Sequence, residues 1–198
     1  MTDTNNNKAT TVLLCGVGGQ GTILAADILA KVALASGDTV KLSEIHGMSQ
    51  RGGSVSTVVR FGSEVHTMLT DPGYADLIVA FESIEALRNL PALSEDGTLY
   101  VNDEIIPSLP VQIGKATIPS DVRDRLVKVG AHMVPAGQIA REVGNPKGTN
   151  VVLIGALSAS LPYPEETWKD VISKRVPPKT IDANLAAFEA GRWAALAQ

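Results

Sequence analysis

Gly16-Val17-Gly18-Gly19-Gln20-Gly21 places glycines at the first, third and sixth positions, directly after an apolar run and just before a stretch of helical periodicity. Glycines so spaced let a ligand reach the backbone, and the unpaired amides at a helix start favour an anion such as phosphate. The same glycines can also serve only the close packing of a helix on a strand. Gly16, Gly18, Gly19, Gln20, Gly21 and Thr22 are the first set of candidate cofactor-binding residues. A second set lies in Glu44-Ile45-His46-Gly47-Met48-Ser49-Gln50-Arg51-Gly52-Gly53, where polar side chains alternate with glycines. Glu44 stands near the place of a ribose-binding carboxylate in a nicotinamide-binding protein. Ser49, Arg51 and Gly52 share its loop. Arg51 could clamp a carboxylate or phosphate in bidentate fashion, and His46 could act as an acid or base. Their structural alternatives are a solvated arginine and a hydrogen-bonded histidine. No Ser–His–acid arrangement and no metal-ligand spacing accompanies them, so the chain holds no complete catalytic set and no metal site is expected.

The elements that position these residues follow from periodicity. Thr10 to Cys15 reads as a buried strand, Thr22 to Ser36 as a helix closed by Gly37, and Thr39 to Ile45 as a second strand, together a βαβ unit. Ser54 to Phe61 alternates Val55, Thr57, Val59 and Phe61 on one face, and Gly62-Ser63 is a turn signal, so Glu64 to Met68 is expected to return as a hairpin partner. Strands follow at Leu77 to Phe81, Thr98 to Val101 and His132 to Val134. Between 103 and 119, three prolines interrupt β-like pieces such as Val111 to Ile113. Helices are expected from Ser83, which caps the first of them, to before Pro91, from Ser120 to Val129, over Gln138 to Val143, from Val151 after an Asn150 cap to about Ser160, and from Pro164 to about Ser173. After Pro177-Pro178 a last helix, Thr180 to Leu196, carries Leu185, Phe188 and Trp193 near one side, as core or as a docking face for a partner.

The 198 residues suit one domain, with 1–9 as a tail and 10–198 as the folded unit. Hydrophobic residues make up 44% and aromatics only 4%, so the core is built from Val, Leu, Ile and Ala, which favours α/β layering. The expected fold is a single Rossmann-like three-layer domain with a mostly parallel sheet and an inserted β-hairpin. A formal net charge of −4 without a long basic run argues against a nucleic-acid partner. The polar stretch Met1 to Lys8 lacks the apolar core of a secretory signal, and no run reaches membrane-spanning length, so no membrane contact and a cytoplasmic location are expected. The one cysteine, Cys15, sits in an apolar run, where a thiol is normally buried; alone it cannot hold an iron–sulfur cluster.

The glycine turn, the His-Gly-Met-Ser-Gln-Arg-Gly-Gly run, Asn150 to Leu157 and the terminal Asn184-Leu-Ala-Ala-Phe-Glu-Ala-Gly191 resemble the small (beta) subunit of indolepyruvate ferredoxin oxidoreductase, in the gamma-domain family of pyruvate and other 2-oxoacid ferredoxin oxidoreductases. The resemblance spans nearly the whole chain from Thr10, and the long loop is its most specific part. It implies a non-cluster subunit inactive alone, a large partner carrying thiamine diphosphate and iron–sulfur clusters, and ferredoxin as acceptor through the complex. The implied reaction is oxidative decarboxylation of an aryl pyruvate to an acyl-coenzyme A, with residues 18–22 and 44–53 facing the substrate or coenzyme A. Without the resemblance, the glycine turn and Glu44 also suit a stand-alone nicotinamide-dependent dehydrogenase.

Overall fold

The computed structural model describes residues 9–47, 52–68 and 71–197. Strand β1 (Thr10–Val17) turns its side chains alternately to the two faces of the sheet: Val12 and Leu14 to one core cluster, Leu13 and Cys15 to the other. Every residue from Thr11 to Gly16 is buried, as a central strand requires. Helix α1 (Thr22–Ala35) follows and buries Ala25, Ile28, Leu29 and Val32 on the first face. The chain then forms β2 (Thr39–His46), β3 (Ser54–Gly62) and β4 (Ala75–Ala80). Helix α2 (Ser83–Asn89), β5 (Leu93–Asn102), short helices α3 (Leu109–Gln112) and α4 (Val122–Lys128), and β6 (His132–Val134) complete the sheet and its second face. Four helices close the chain: α5 (Ala136–Glu142), α6 (Thr149–Ser158), α7 (Glu165–Arg175) and α8 (Ile181–Leu196).

The six strands run in the order β2-β3-β1-β4-β5-β6. Strand β3 is antiparallel to both of its neighbours and the remaining pairs are parallel. One face is covered by α1, α6, α7 and α8, whose Leu153, Trp168 and Phe188 join Val59, Phe61 and Val79. The other is covered by α2 and α4 through Ala86, Val122 and Leu126. This is the expected three-layer α/β domain.

Several local expectations are corrected. The inserted hairpin exists, but β2 and β3 form it; residues 64–68 make no strand. Both edges of β3 are taken by β1 and β2, so no ladder edge remains for a return at Gly62-Ser63. The β1-α1-β2 crossover is parallel as expected, yet β3 lies between its two strands. Leu109–Gln112 is helical rather than extended, because Pro110 needs no N–H in a first turn and would leave a gap in a ladder. The cap of α2 is Glu82, whose carboxylate accepts from the Glu85 amide, and α6 begins at Thr149 with Gly148 at its cap position. On α8, Phe188 is buried and Trp193 is 73% exposed; a separation of five residues turns them about 140° apart.

Helices α6 and α8 cross backbone to backbone. A Cβ on Gly155 would stand 2.1 Å from the Phe188 carbonyl oxygen, and one on Gly191 2.0 Å from that of Val152. Neither backbone can give way without parting the helices. Gly191→Ala is therefore expected to cost about 3 kcal/mol or more, read as a lowered denaturant midpoint of the full chain; an unchanged midpoint would contradict the crossing.

Candidate functional site

Strands β1 and β4 are parallel neighbours whose following helices, α1 and α2, pack on opposite faces. The crevice at their C-terminal ends is where an open α/β sheet binds ligands, and the glycine turn occupies it. Gly16 ends the buried part of β1; a Cβ there would lie 2.8 Å from that of Phe81. Gly19 and Gly21 take positive φ, +107° and +82°, which only glycine adopts without strain. Gln20 staples the turn: its Oε1 accepts from Val17 N–H at 2.7 Å and its Nε2 donates to the Phe81 carbonyl at 2.8 Å. The Gly18 amide donates to Gly53 O at 2.8 Å, and the Gly52 amide returns a bond to Gly18 O at 3.2 Å. What remains open are the amides of Gly19, Gly21, Thr22 and Ile23, which donate to nothing among the described residues, and α1 has no side-chain cap.

A cleft of about 380 Å³ opens beside these amides. Gly18, Gly19, Gly21, Thr22 and Ile23 form one wall; Glu44, Ile45 and His46 of β2 with Val55, Ser56 and Thr57 of β3 form the other. The ladder explains the second wall, since Glu44 pairs with Thr57 and His46 with Val55. The structure thus brings together Gly18, Gly19, Gly21, Thr22, Glu44 and His46. Gly16 and Gln20 support the turn from beneath, and Gly52 lines a cavity on the other side. Ser49 and Arg51 lie outside the described residues. His46 is exposed, with Nδ1 3.1 Å from Gly47 O and no carboxylate partner among the described residues. No group of His, Cys, Asp and Glu that could hold a metal occurs among the described residues.

The nicotinamide geometry is not reproduced. In that arrangement the acidic strand is adjacent to the glycine-turn strand. Here β3 intervenes, so Glu44 sits two strand spacings, about 10 Å, from β1.

Across the sheet, a cavity of about 540 Å³ is bordered by Ser54, Glu82, Glu85, Arg88 and the proline-rich segment after β5. Sequence reasoning singled out none of these residues as functional; a carboxylate directly after a wholly apolar strand is the signal that was available. Glu85 accepts from Ser54 Oγ at 2.5 Å and from Arg88 Nη1 at 2.9 Å. Glu82 is only 1% exposed and accepts from the amides of Glu85 and Ile106. Burial pushes its carboxyl above the ordinary glutamate value, only partly opposed by those bonds. Asn102 donates to the Phe81 carbonyl and accepts from Ala136 N–H, tying β5 to the same crevice. Cys15 is fully buried, its thiol directed at the Glu85 carbonyl; burial first, then Glu85 and Glu82, push it well above the usual thiol range. It is an inert core residue.

A doubly covered, mostly parallel sheet with a glycine turn at its switch point defines an α/β domain of the Rossmann-like class. The chain belongs to the pyruvate ferredoxin/flavodoxin oxidoreductase family, whose pattern matches residues 11–194. It is 45% identical to indolepyruvate oxidoreductase subunit IorB of Thermococcus kodakarensis, over 95% of this chain and 96% of that one. The gamma subunit of keto/oxoacid ferredoxin oxidoreductase from Geobacter sulfurreducens superposes with a TM-score of 0.71 at 23% identity, covering 96% of this chain and 99% of that one. The 2-oxoglutarate:ferredoxin oxidoreductase of Magnetococcus marinus, solved with 2-oxoglutarate, coenzyme A and succinyl-CoA, superposes with a TM-score of 0.73 at 24% identity; 97% of this chain matches 32% of that one. The resemblance to the indolepyruvate subunit is borne out, and the stand-alone dehydrogenase gains no support.

Two outcomes follow from this geometry. Gln20→Ala removes both staples, so the Val17 amide is expected to exchange faster with solvent and stability to fall by about 1–3 kcal/mol; unchanged protection at Val17 would contradict the staple. Because the raised carboxyl keeps Glu82 protonated in the fold beyond the pH at which the unfolded chain releases its proton, Glu82 favours folding at low pH and opposes it as pH rises through the raised value. Denaturant unfolding across the range just above the ordinary glutamate value should show a downward slope that Glu82→Gln flattens; equal slopes would contradict it.

Proposed function

We propose that this chain is the small, cluster-free subunit of a thiamine diphosphate-dependent 2-oxoacid:ferredoxin oxidoreductase acting on an aryl pyruvate such as indolepyruvate. The product is the acyl-coenzyme A, with electrons passed to ferredoxin through a large partner subunit. The observation that carries this reading is the 45% identity, over 95% of this chain, to an indolepyruvate oxidoreductase subunit, joined to a cleft whose amides find no acceptor and which gathers no catalytic set among the described residues. Residues 10–198 are taken as the domain of that enzyme, 1–9 as its tail, and the cytoplasm as its location. No helix among the described residues is long and apolar enough to cross a membrane.

Iron–sulfur clusters do not fit this chain, since its single thiol is buried and pointed at a carbonyl; they belong with the partner. A phosphate-bearing cofactor does fit, because the amides of Gly19, Gly21, Thr22 and Ile23 at a helix start have no acceptor among the described residues. Thiamine diphosphate supplies the carbanion chemistry of the complex when bound. This chain's own contribution is orientation: the turn amides hold a negative group, while Glu44, His46 and the exposed Ile45 face the substrate or coenzyme A side.

Co-expression with a cysteine-rich large subunit should yield a brown complex that reduces ferredoxin with indolepyruvate and coenzyme A, while the isolated chain stays inert. Tight binding of NAD by the lone chain, or its use of NAD to oxidise a substrate, would overturn the proposal. Within the complex, Glu44→Gln together with His46→Asn leaves the fold intact, since both side chains are exposed, and is expected to raise the KM for the acid or coenzyme A about tenfold; unchanged constants would remove β2 from the site.

A further inference from the structure

Residues 52–54 stand between the two hollows of the crevice. Gly52 and Ser54 border the cavity across the sheet, whereas Val55, the next residue of β3, lines the cleft with Gly18 and Gly19. Backbone bonds join this stretch to the glycine turn, from the Gly18 amide to Gly53 O at 2.8 Å and from the Gly52 amide to Gly18 O at 3.2 Å. The second bond sets an amide as well as a carbonyl. In a planar trans peptide the carbonyl of Gly18 and the N–H of Gly19 point in opposite directions, so holding the first toward Gly52 turns the second away from it. The aim of the Gly19 amide therefore depends on where residue 52 lies.

The sheet alone holds this stretch weakly. Strand β2 reaches β3 only as far as His46 opposite Val55, so Ser54 has a ladder partner, Val17, on one side alone. A strand end paired on one side opens readily. A side chain supplies the further hold: Ser54 Oγ donates to Glu85 Oε2 at 2.5 Å. Glu85 is 4% exposed and sits in the first turn of α2, where the helix start favours a negative charge. Its other carboxylate oxygen accepts from Arg88 Nη1 at 2.9 Å, its amide donates to Glu82 Oε2 at 2.8 Å, and its carbonyl accepts from Asn89 Nδ2 at 2.8 Å. The carboxylate is thus a fixed anchor, and a charged acceptor binds a hydroxyl more strongly than a neutral one does.

We propose that Glu85 is a positioning residue for the cleft on the opposite face of the sheet: it holds Ser54, Ser54 holds residues 52–53, and these set the Gly18–Gly19 peptide whose amide meets the ligand. The proposal rests on the reading of the glycine turn as a ligand-facing wall and adds to it a residue outside that wall. Glu85 does not line the cleft, so its effect passes through Ser54.

The test compares Ser54→Ala, which removes the bond, with Ser54→Thr, which keeps the hydroxyl; Ser54 is exposed, so both chains fold. In the free chain, Ser54→Ala should speed hydrogen exchange of the Gly18 and Gly52 amides about tenfold while amides within α1 keep their protection, and Ser54→Thr should restore the wild-type rates. Added to Glu85→Gln, the Ser54→Ala change should speed the same amides by less than about threefold, since its partner is already weakened. In the assembled complex, Ser54→Ala should raise the KM for indolepyruvate or coenzyme A about fivefold with kcat within about twofold of wild type, and Ser54→Thr should return it. Unchanged exchange at Gly18 and Gly52, no rescue by threonine, or faster exchange with both KM values unchanged would overturn the proposal. A wild-type complex that fails to turn over indolepyruvate would overturn the enzymatic reading, and the exchange rates and their rescue would then decide the role of Glu85 by themselves.

Discussion

The placement of β3 between β1 and β2 shapes everything around the cleft. An antiparallel strand wedged into a parallel crossover uses both of its edges for ladders, and its first residue, Ser54, pairs with Val17 at the mouth of the crevice. That pairing brings residues 52–53 onto the glycine turn, where Gly18 exchanges backbone bonds with Gly52 and Gly53. The same insertion carries β2 to the sheet edge, where α1 covers it only in part. Part of the β2–β3 surface therefore has no helix above it, and Ile45 joins Ile23 as an exposed apolar residue beside the cleft. Such a surface is what a subunit interface needs and what a solitary enzyme would cover.

The turn itself is held by groups that cannot also serve a ligand. Gln20 and Asn102 both donate to the Phe81 carbonyl, whose own amide donates to Cys15. The ends of β1, β4 and β5 are thus joined through one residue, Phe81, which fixes the turn against the core. Two glycines at positive φ then leave amides at the start of a fourteen-residue helix without an acceptor among the described residues. Free donors at a helix start are what an anion site uses.

Periodicity made much of this legible. The strand before the glycines, the helix after them and β6 emerge close to their observed bounds, because buried alternation and a glycine stop are local signals. Pairing is not local. Nothing in Ser54 to Phe61 says which strands flank it, so Gly62-Ser63 reads as a hairpin turn although both edges of β3 are filled from elsewhere. Glu44 illustrates the same limit: its place at a strand end is readable, but its distance from the turn depends on an intervening strand. Gln20 sits within a motif that invites a ligand role, and only the positions of Val17 and Phe81 reveal it as a staple. Asn150 reads as a helix cap, whereas in the fold it faces Gly21, the cap residue of another helix. The terminal stretch from Asn184 to Gly191 is largely a packing feature, with Gly191 set by the α6–α8 crossing.

The central claim is that the glycine turn and the β2–β3 wall form one side of a site completed by another subunit. Hydrogen exchange of the small subunit, free and in the assembled complex, tests it most directly. The account predicts strong new protection of the amides of 19–23 and of 44–46 on assembly. Unchanged exchange there, with protection confined to the α8 surface around Trp193, would contradict it.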